Sequence, residues 1–73
     1  MYKIKINLET LSDIKNFVNI ADTIPEEVCL IDNSGHKVSA KSLLGCMYST
    51  EFDETYVISN SEAILNKFNE FVY

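Results

Sequence analysis

Between Thr10 and Pro25, the apolar residues Leu11, Ile14, Phe17, Val18, Ala21 and Ile24 recur at steps of three and four, with Lys15, Asn16, Asn19 and Asp22 on the other side. This spacing draws one apolar stripe along an amphipathic helix, and a stripe of that kind must be laid against another element. Both ends of the helix are marked. Thr10 is a capping residue with Asp13 at the third helical position, where an acid meets the helix's positive end. Pro25 stops the helix at or before Ile24.

The surrounding chain supplies strands to receive the stripe. Tyr2, Ile4, Ile6 and Leu8 alternate with Lys3, Lys5 and Asn7, the period of a half-buried strand. Glu27–Ile31 reads as a second strand. Asp32-Asn33-Ser34-Gly35 is turn chemistry, with Asn33 or Gly35 able to take positive φ, and His36–Ser39 is the return strand of a hairpin. A short helix follows over Lys41–Tyr48, bringing Leu43, Leu44 and Met47 to one side. Thr55–Ser59 is a fourth strand. Ser59 or Ser61 caps a last helix whose Ile64, Leu65, Phe68, Phe71 and Val72 share a face.

The order is β-α-β-β-α-β-α over a single domain, residues 1–73. With one stripe per helix, the economical packing is a two-layer α+β fold, an open-faced sandwich of a four-stranded antiparallel sheet with three helices on one face. Leu11, Phe17, Val18, Leu44, Ile64 and Phe68 are expected in its core. Cys29 and Ile31 alternate with Val28 and Leu30, so they are expected on the uncovered sheet face, where apolar residues could support self-association.

Composition narrows the function. Seventy-three residues leave no room for an enzyme with a lid or a cofactor domain. Six lysines, no arginine and eleven acids give a net charge of −5, which argues against a nucleic-acid partner. The longest uncharged runs, Ser42–Thr50 and Thr55–Ser61, have nine and seven residues. Both fall far short of the roughly 20 apolar residues of a membrane helix. The alternating start lacks the apolar core of a signal peptide, so a cytoplasmic chain is expected. Cys29 and Cys46 then read as reduced thiols. No C-x-x-C or H-x-x-x-H spacing occurs, and neither metal nor cofactor is expected.

One stretch says more. Gly35-His36-Lys37-Val38-Ser39-Ala40-Lys41-Ser42-Leu43-Leu44-Gly45-Cys46-Met47 closely resembles HPr, the histidine phosphocarrier of the bacterial sugar phosphotransferase system. The resemblance implies the same β-α-β-β-α-β-α order. It also implies that Ser42 matches the family's regulatory serine, which a dedicated kinase phosphorylates in Gram-positive relatives. Lys41, Leu43, Met47 and Tyr48 would belong to, or border, the surface on which the family docks its protein partners. The departure lies at the phosphoryl site. The family's histidine position falls at Thr10, its arginine at Ser12 and its proline at Asp13, so none of the three is kept.

A relay needs a nitrogen nucleophile with a cation to hold the phosphoryl oxygens, and Thr10 and Ser12 supply neither. His36, the one histidine, sits in a turn and reads as an exposed turn residue. The expectation is therefore an HPr-like protein without phosphotransfer. It would be no enzyme but a regulatory or binding module acting through the Ser42 helix. An HPr scaffold put to use apart from sugar transport is the alternative. Ser42 itself reads equally as a helix cap.

Overall fold

The computed structural model describes residues 1–72, leaving Tyr73 outside the described residues. Four strands, β1 (Tyr2–Ile6), β2 (Val28–Ile31), β3 (Lys37–Ser39) and β4 (Thr55–Ser59), form one antiparallel sheet in the order β1-β4-β2-β3. Three helices, α1 (Leu11–Asp22), α2 (Leu43–Tyr48) and α3 (Ile64–Lys67), complete the α+β layout expected from the sequence. Short 3₁₀ turns follow α2 at Ser49–Glu51 and α3 at Asn69–Phe71.

Side-chain alternation decides which face of the sheet is covered. The register aligns Ile4, Val57, Leu30 and Val38 across all four strands. Val57 and Leu30 are fully buried, and they share one cluster with Ile14, Phe17, Val18 and Ala21 of α1, Cys46 of α2 and Ile64 of α3. All three helices thus lie on the same face. Phe17 stacks on Phe68 with ring centroids 4.5 Å apart, and Phe71 meets Phe17 edge-on at 5.6 Å.

The opposite face carries the rows Lys3-Ile58-Cys29-Ser39 and Lys5-Tyr56-Ile31-Lys37. Cys29 and Ile31 are on this face as their alternation demands, but it is not an apolar surface. Cys29 is buried, while Ile31, Tyr56 and Ile58 are half-buried. Lys3 crosses the Tyr56 ring with its Nζ 4.4 Å from the centroid, and Lys5 reaches Glu54 at 3.2 Å. Lysine stems can lie over apolar neighbours while their ammonium groups stay in water. Two copies placed face to face would also bring lysines of like charge together.

Local chemistry at the element ends follows the sequence closely. Thr10 caps α1, and Gly35 takes the positive φ of the hairpin turn at 96°. The start of α3 departs from it: the N-cap is Ala63, with no side-chain cap, and neither Ser59 nor Ser61 takes that position, Ser61 Oγ accepting only from the Ala63 N–H at 3.2 Å. Both cysteines are free and buried. Burial pushes the Cys46 thiol up to about 11.

Two core assignments, Leu44 and Leu11, need correction, and so does the single apolar face expected of the last helix. Leu44 is 78% exposed because Cys46, fully buried, sets the inward direction of α2. Two residues along a helix turn the side chain by about 200°, so Leu44 points nearly opposite to Cys46. Leu11 is half-exposed, being the first residue of α1, with core burial starting one turn later at Ile14. Leu65 and Val72 are also exposed. The last helix ends at Lys67, and the chain bends at Phe68 to run beside β1, where Asn7 N–H donates to the Phe71 carbonyl at 2.8 Å.

These positions predict a sharp contrast. Phe17→Ala or Phe68→Ala is expected to cost about 3–5 kcal/mol in chemical denaturation, whereas Leu44→Ala, removing an exposed side chain, should stay within about 0.5 kcal/mol.

Candidate functional site

At the junction of β1 and α1, the positions that the resemblance pairs with the phosphoryl site are engaged in capping. Thr10 Oγ1 accepts from the Asp13 N–H at 3.0 Å. Asp13 Oδ2 accepts in return from the N–H groups of Thr10 and Glu9, each at 3.2 Å. This reciprocal box leaves a carboxylate seated on the helix N-terminus, where an anion would otherwise be received. An incoming phosphoryl group would meet both the steric block and the like charge of Asp13. Ser12 is exposed on the first turn and carries no cation.

The second region is the start of α2. Ser42 is exposed, with extended backbone, and its Oγ accepts from the Gly45 N–H at 3.1 Å. Lys41 turns the other way. Its Nζ donates to the Ile24 carbonyl at 2.6 Å, just past the C-terminal end of α1. Lys67 reaches the neighbouring Thr23 Oγ1 at 2.9 Å. The last turn of α1 has no basic residue of its own, so these two lysines bring positive charge to its negative end. Lys41 is therefore committed to the scaffold.

Gly45 is set by close approach. A Cβ there would lie 3.2 Å from the Ser39 carbonyl and 3.3 Å from the Val38 Cβ. With Gly45 and Cys46 turned toward the sheet, Leu43, Leu44, Met47 and Tyr48 face outward, at 39%, 78%, 42% and 52% exposure. Positions 43 and 47, and likewise 44 and 48, are one turn apart, so the four form a contiguous surface. Beside Leu43 a notch of about 210 Å³ is lined by Lys15, Val18 and Asn19 of α1. Leu11, half-exposed, lies one turn before Lys15 on that helix.

At its C-terminal edge, Tyr48 meets a cluster that sequence reasoning missed. His36 packs against Phe52 and Tyr48, and its Nδ1 lies 2.8 Å from Asp32 Oδ2. Desolvation acts to raise the Asp32 carboxyl, but hydrogen bonds from the His36 backbone and ring and from the Ser34 N–H outweigh it and hold the group below its ordinary value. Four residues separate Asp32 from His36, which was a readable signal. Phe52 is sixteen positions further on and gave none.

A cleft of about 390 Å³ between the loop before α1 and the segment before β4 is lined by polar groups including Asn7, Glu9, Asp53 and Glu54. Glu54 is already engaged by Asn33, Tyr56 and Lys5 at 2.6, 3.0 and 3.2 Å. Hydrogen bonds from Tyr56, Lys5 and Asn33, with the Lys5 charge, hold its carboxyl below the ordinary value. Among the described residues, no three His, Cys, Asp or Glu side chains converge as metal ligands. No helix there is long and apolar enough to cross a membrane.

Protein families, characterised proteins and solved structures give no match to this chain. The geometry alone therefore ranks its surfaces.

The capping box makes a direct prediction. Thr10→Ala should lower stability by about 0.5–2 kcal/mol, the usual range for losing an N-cap. Asp13→Ala should also destabilise. In the double variant the losses should fall short of additive, since each residue completes the other's hydrogen bonds. Equilibrium unfolding of the four proteins reads this directly.

Proposed function

We propose that this chain is an HPr-like protein-binding module that has lost histidine phosphotransfer and acts through the outward face of α2. One observation carries the reading: Leu43, Leu44, Met47 and Tyr48 are exposed together on a helix that buries only Cys46. Monomeric proteins rarely leave an apolar patch of more than a few hundred Å² uncovered without a partner for it. A patch on one six-residue helix is smaller than the roughly 800 Å² per partner of a standard stable interface, which suits a transient contact.

The stretch from Gly35 to Met47 and the observed order of elements support the HPr-like part of the reading. The Asp13 carboxylate on the N-terminus of α1 and the lack of any arginine support the loss of phosphotransfer. Those same features favour a second reading, in which the scaffold serves a partner unconnected with sugar transport. In either case Ser42 is the regulatory position. Its hydroxyl is exposed at the head of the apolar surface, and a phosphate there would set about two negative charges beside Leu43. Lys41, held by the Ile24 carbonyl, supports that surface from below.

Two experiments test the proposal. Incubated with the phosphotransferase system's first enzyme and labelled phosphoenolpyruvate, the chain is expected to take up no label while an authentic HPr is labelled. Acid-labile phosphate on His36 would overturn this. In pull-downs from native cytosol, a protein retained by the wild-type chain should be lost with Leu44→Asp and weakened several-fold with Ser42→Asp, both variants remaining folded by circular dichroism. Equal retention by Leu44→Asp would place binding elsewhere.

A further inference from the structure

The four strands contain three charged residues, and all three are lysines: Lys3 and Lys5 of β1 and Lys37 of β3. The register puts them on the open face of the sheet, away from the helices. All eleven acids lie outside the strands, in helices, turns and connections. A chain of net charge −5 therefore keeps three of its six lysines on a sheet face to which the strands contribute no acid.

The lysines stand on the two edge strands, and the two central strands present Ile31, Tyr56 and Ile58 between them, all half-buried. Lysines on edge strands guard against edge-to-edge pairing. That accounts for their place, but not for the apolar residues on central strands, which have no free edge to guard. Lys3 and Lys37 are exposed. Lys3 reaches over the Tyr56 ring, with its Nζ 4.4 Å from the centroid, and Lys5 is held by Glu54 at 3.2 Å. The acids nearest in the chain, Glu27 and Glu54, precede β2 and β4, so they sit at opposite ends of the sheet and not across its middle.

The geometry points to a docking face for an acidic amphipathic helix of another protein, its apolar stripe on Ile31, Tyr56 and Ile58 and its carboxylates over the lysines on either side. Dimensions select this occupant. Three strand spacings of roughly 4.8 Å place β1 and β3 about 14 Å apart, and a helix with its side chains is about 10–12 Å wide. Acids flanking the stripe of such a helix come down beside Lys3 on one side and Lys37 on the other. The five residues of β4 run about 17 Å, which is about three helical turns. So small a footprint fits a transient contact.

Other occupants suit the face less well. A second copy packed face to face would set lysines against lysines. Single-stranded nucleic acid can stack on a tyrosine, but a net charge of −5 repels a polyphosphate as a whole. This inference does not depend on the role proposed above for α2, which packs on the other face of the sheet.

The test uses the full chain and three probes: a leucine-striped helical peptide flanked by glutamates, the same peptide flanked by lysines, and an oligouridylate. Overall charge favours the lysine peptide, so tighter binding of the glutamate peptide is the diagnostic result. In nitrogen-15 spectra its shifts should gather at Ile31, Tyr56 and Ile58. Lys37→Glu, a change at an exposed edge position, should weaken binding several-fold, and adding Lys3→Glu should weaken it further, with circular dichroism unchanged. Leu44→Asp should leave it as it is. No binding of the glutamate peptide, or tighter binding of either other probe, overturns the proposal. So do shifts confined to α2, or an affinity indifferent to Lys37→Glu. A dimer in sedimentation equilibrium that Lys37→Glu disperses would give the face to a second copy instead.

Discussion

The stacking of Phe17 on Phe68 is the contact on which the rest of the structure hangs. It joins the middle of α1 to the end of α3 at 4.5 Å, with both rings fully buried. Phe71 adds its edge to Phe17, and because its carbonyl receives the Asn7 N–H, the same packing draws the C-terminal run alongside β1. The sheet provides the floor through Ile4, Val57, Leu30 and Val38, one residue from each strand. In a domain of this size the whole margin of stability is about 4–11 kcal/mol, so losing either ring of that pair, at about 3–5 kcal/mol, would remove a large share of it.

Electrostatics at the helix ends follows the same economy. The N-terminus of α1 is served by Asp13, three residues inside it, while its C-terminus is served from a distance by Lys41 and Lys67. Asp13 and Lys41 meet backbone groups directly, and Lys67 meets the Thr23 hydroxyl at the same end of the helix as Lys41. The consequence for chemistry is direct. A helix N-terminus that already holds a carboxylate has little left to offer an anion, so the place where a phosphoryl group would be cradled is filled from within.

Much of this was legible in the sequence, and the reasons are physical. The helix from Leu11 to Asp22 and the strand from Thr55 to Ser59 announce themselves because their apolar periods differ, and because Thr10, Asp13 and Pro25 are rigid local signals. The inward face of α2 was not legible. Hydrophobicity points to Leu43 and Leu44, whereas the space beneath the helix admits only Gly45 and Cys46, and that space is defined by β3. Nor could the sequence show that Lys3 would reach the Tyr56 ring across the open sheet face, or that Phe52 would close over His36. Both depend on pairings across the sheet and around a turn, which local patterns do not encode.

The stretch that carries the resemblance can now be divided by cause. Gly35 is required by the positive φ of its turn, and Gly45 by the nearness of the Ser39 carbonyl. Ala40 is fully buried, Lys41 caps α1, and Ser42 caps α2. For all of these the scaffold alone is a sufficient reason, whatever the protein does. It is not a sufficient reason for Leu43, Leu44, Met47 and Tyr48. A six-residue helix needing only cohesion with the sheet could carry polar residues at these positions at little cost, and would gain solubility by it. Four large apolar side chains exposed on one face gain the fold nothing, and it is on them that the proposed protein-binding role rests.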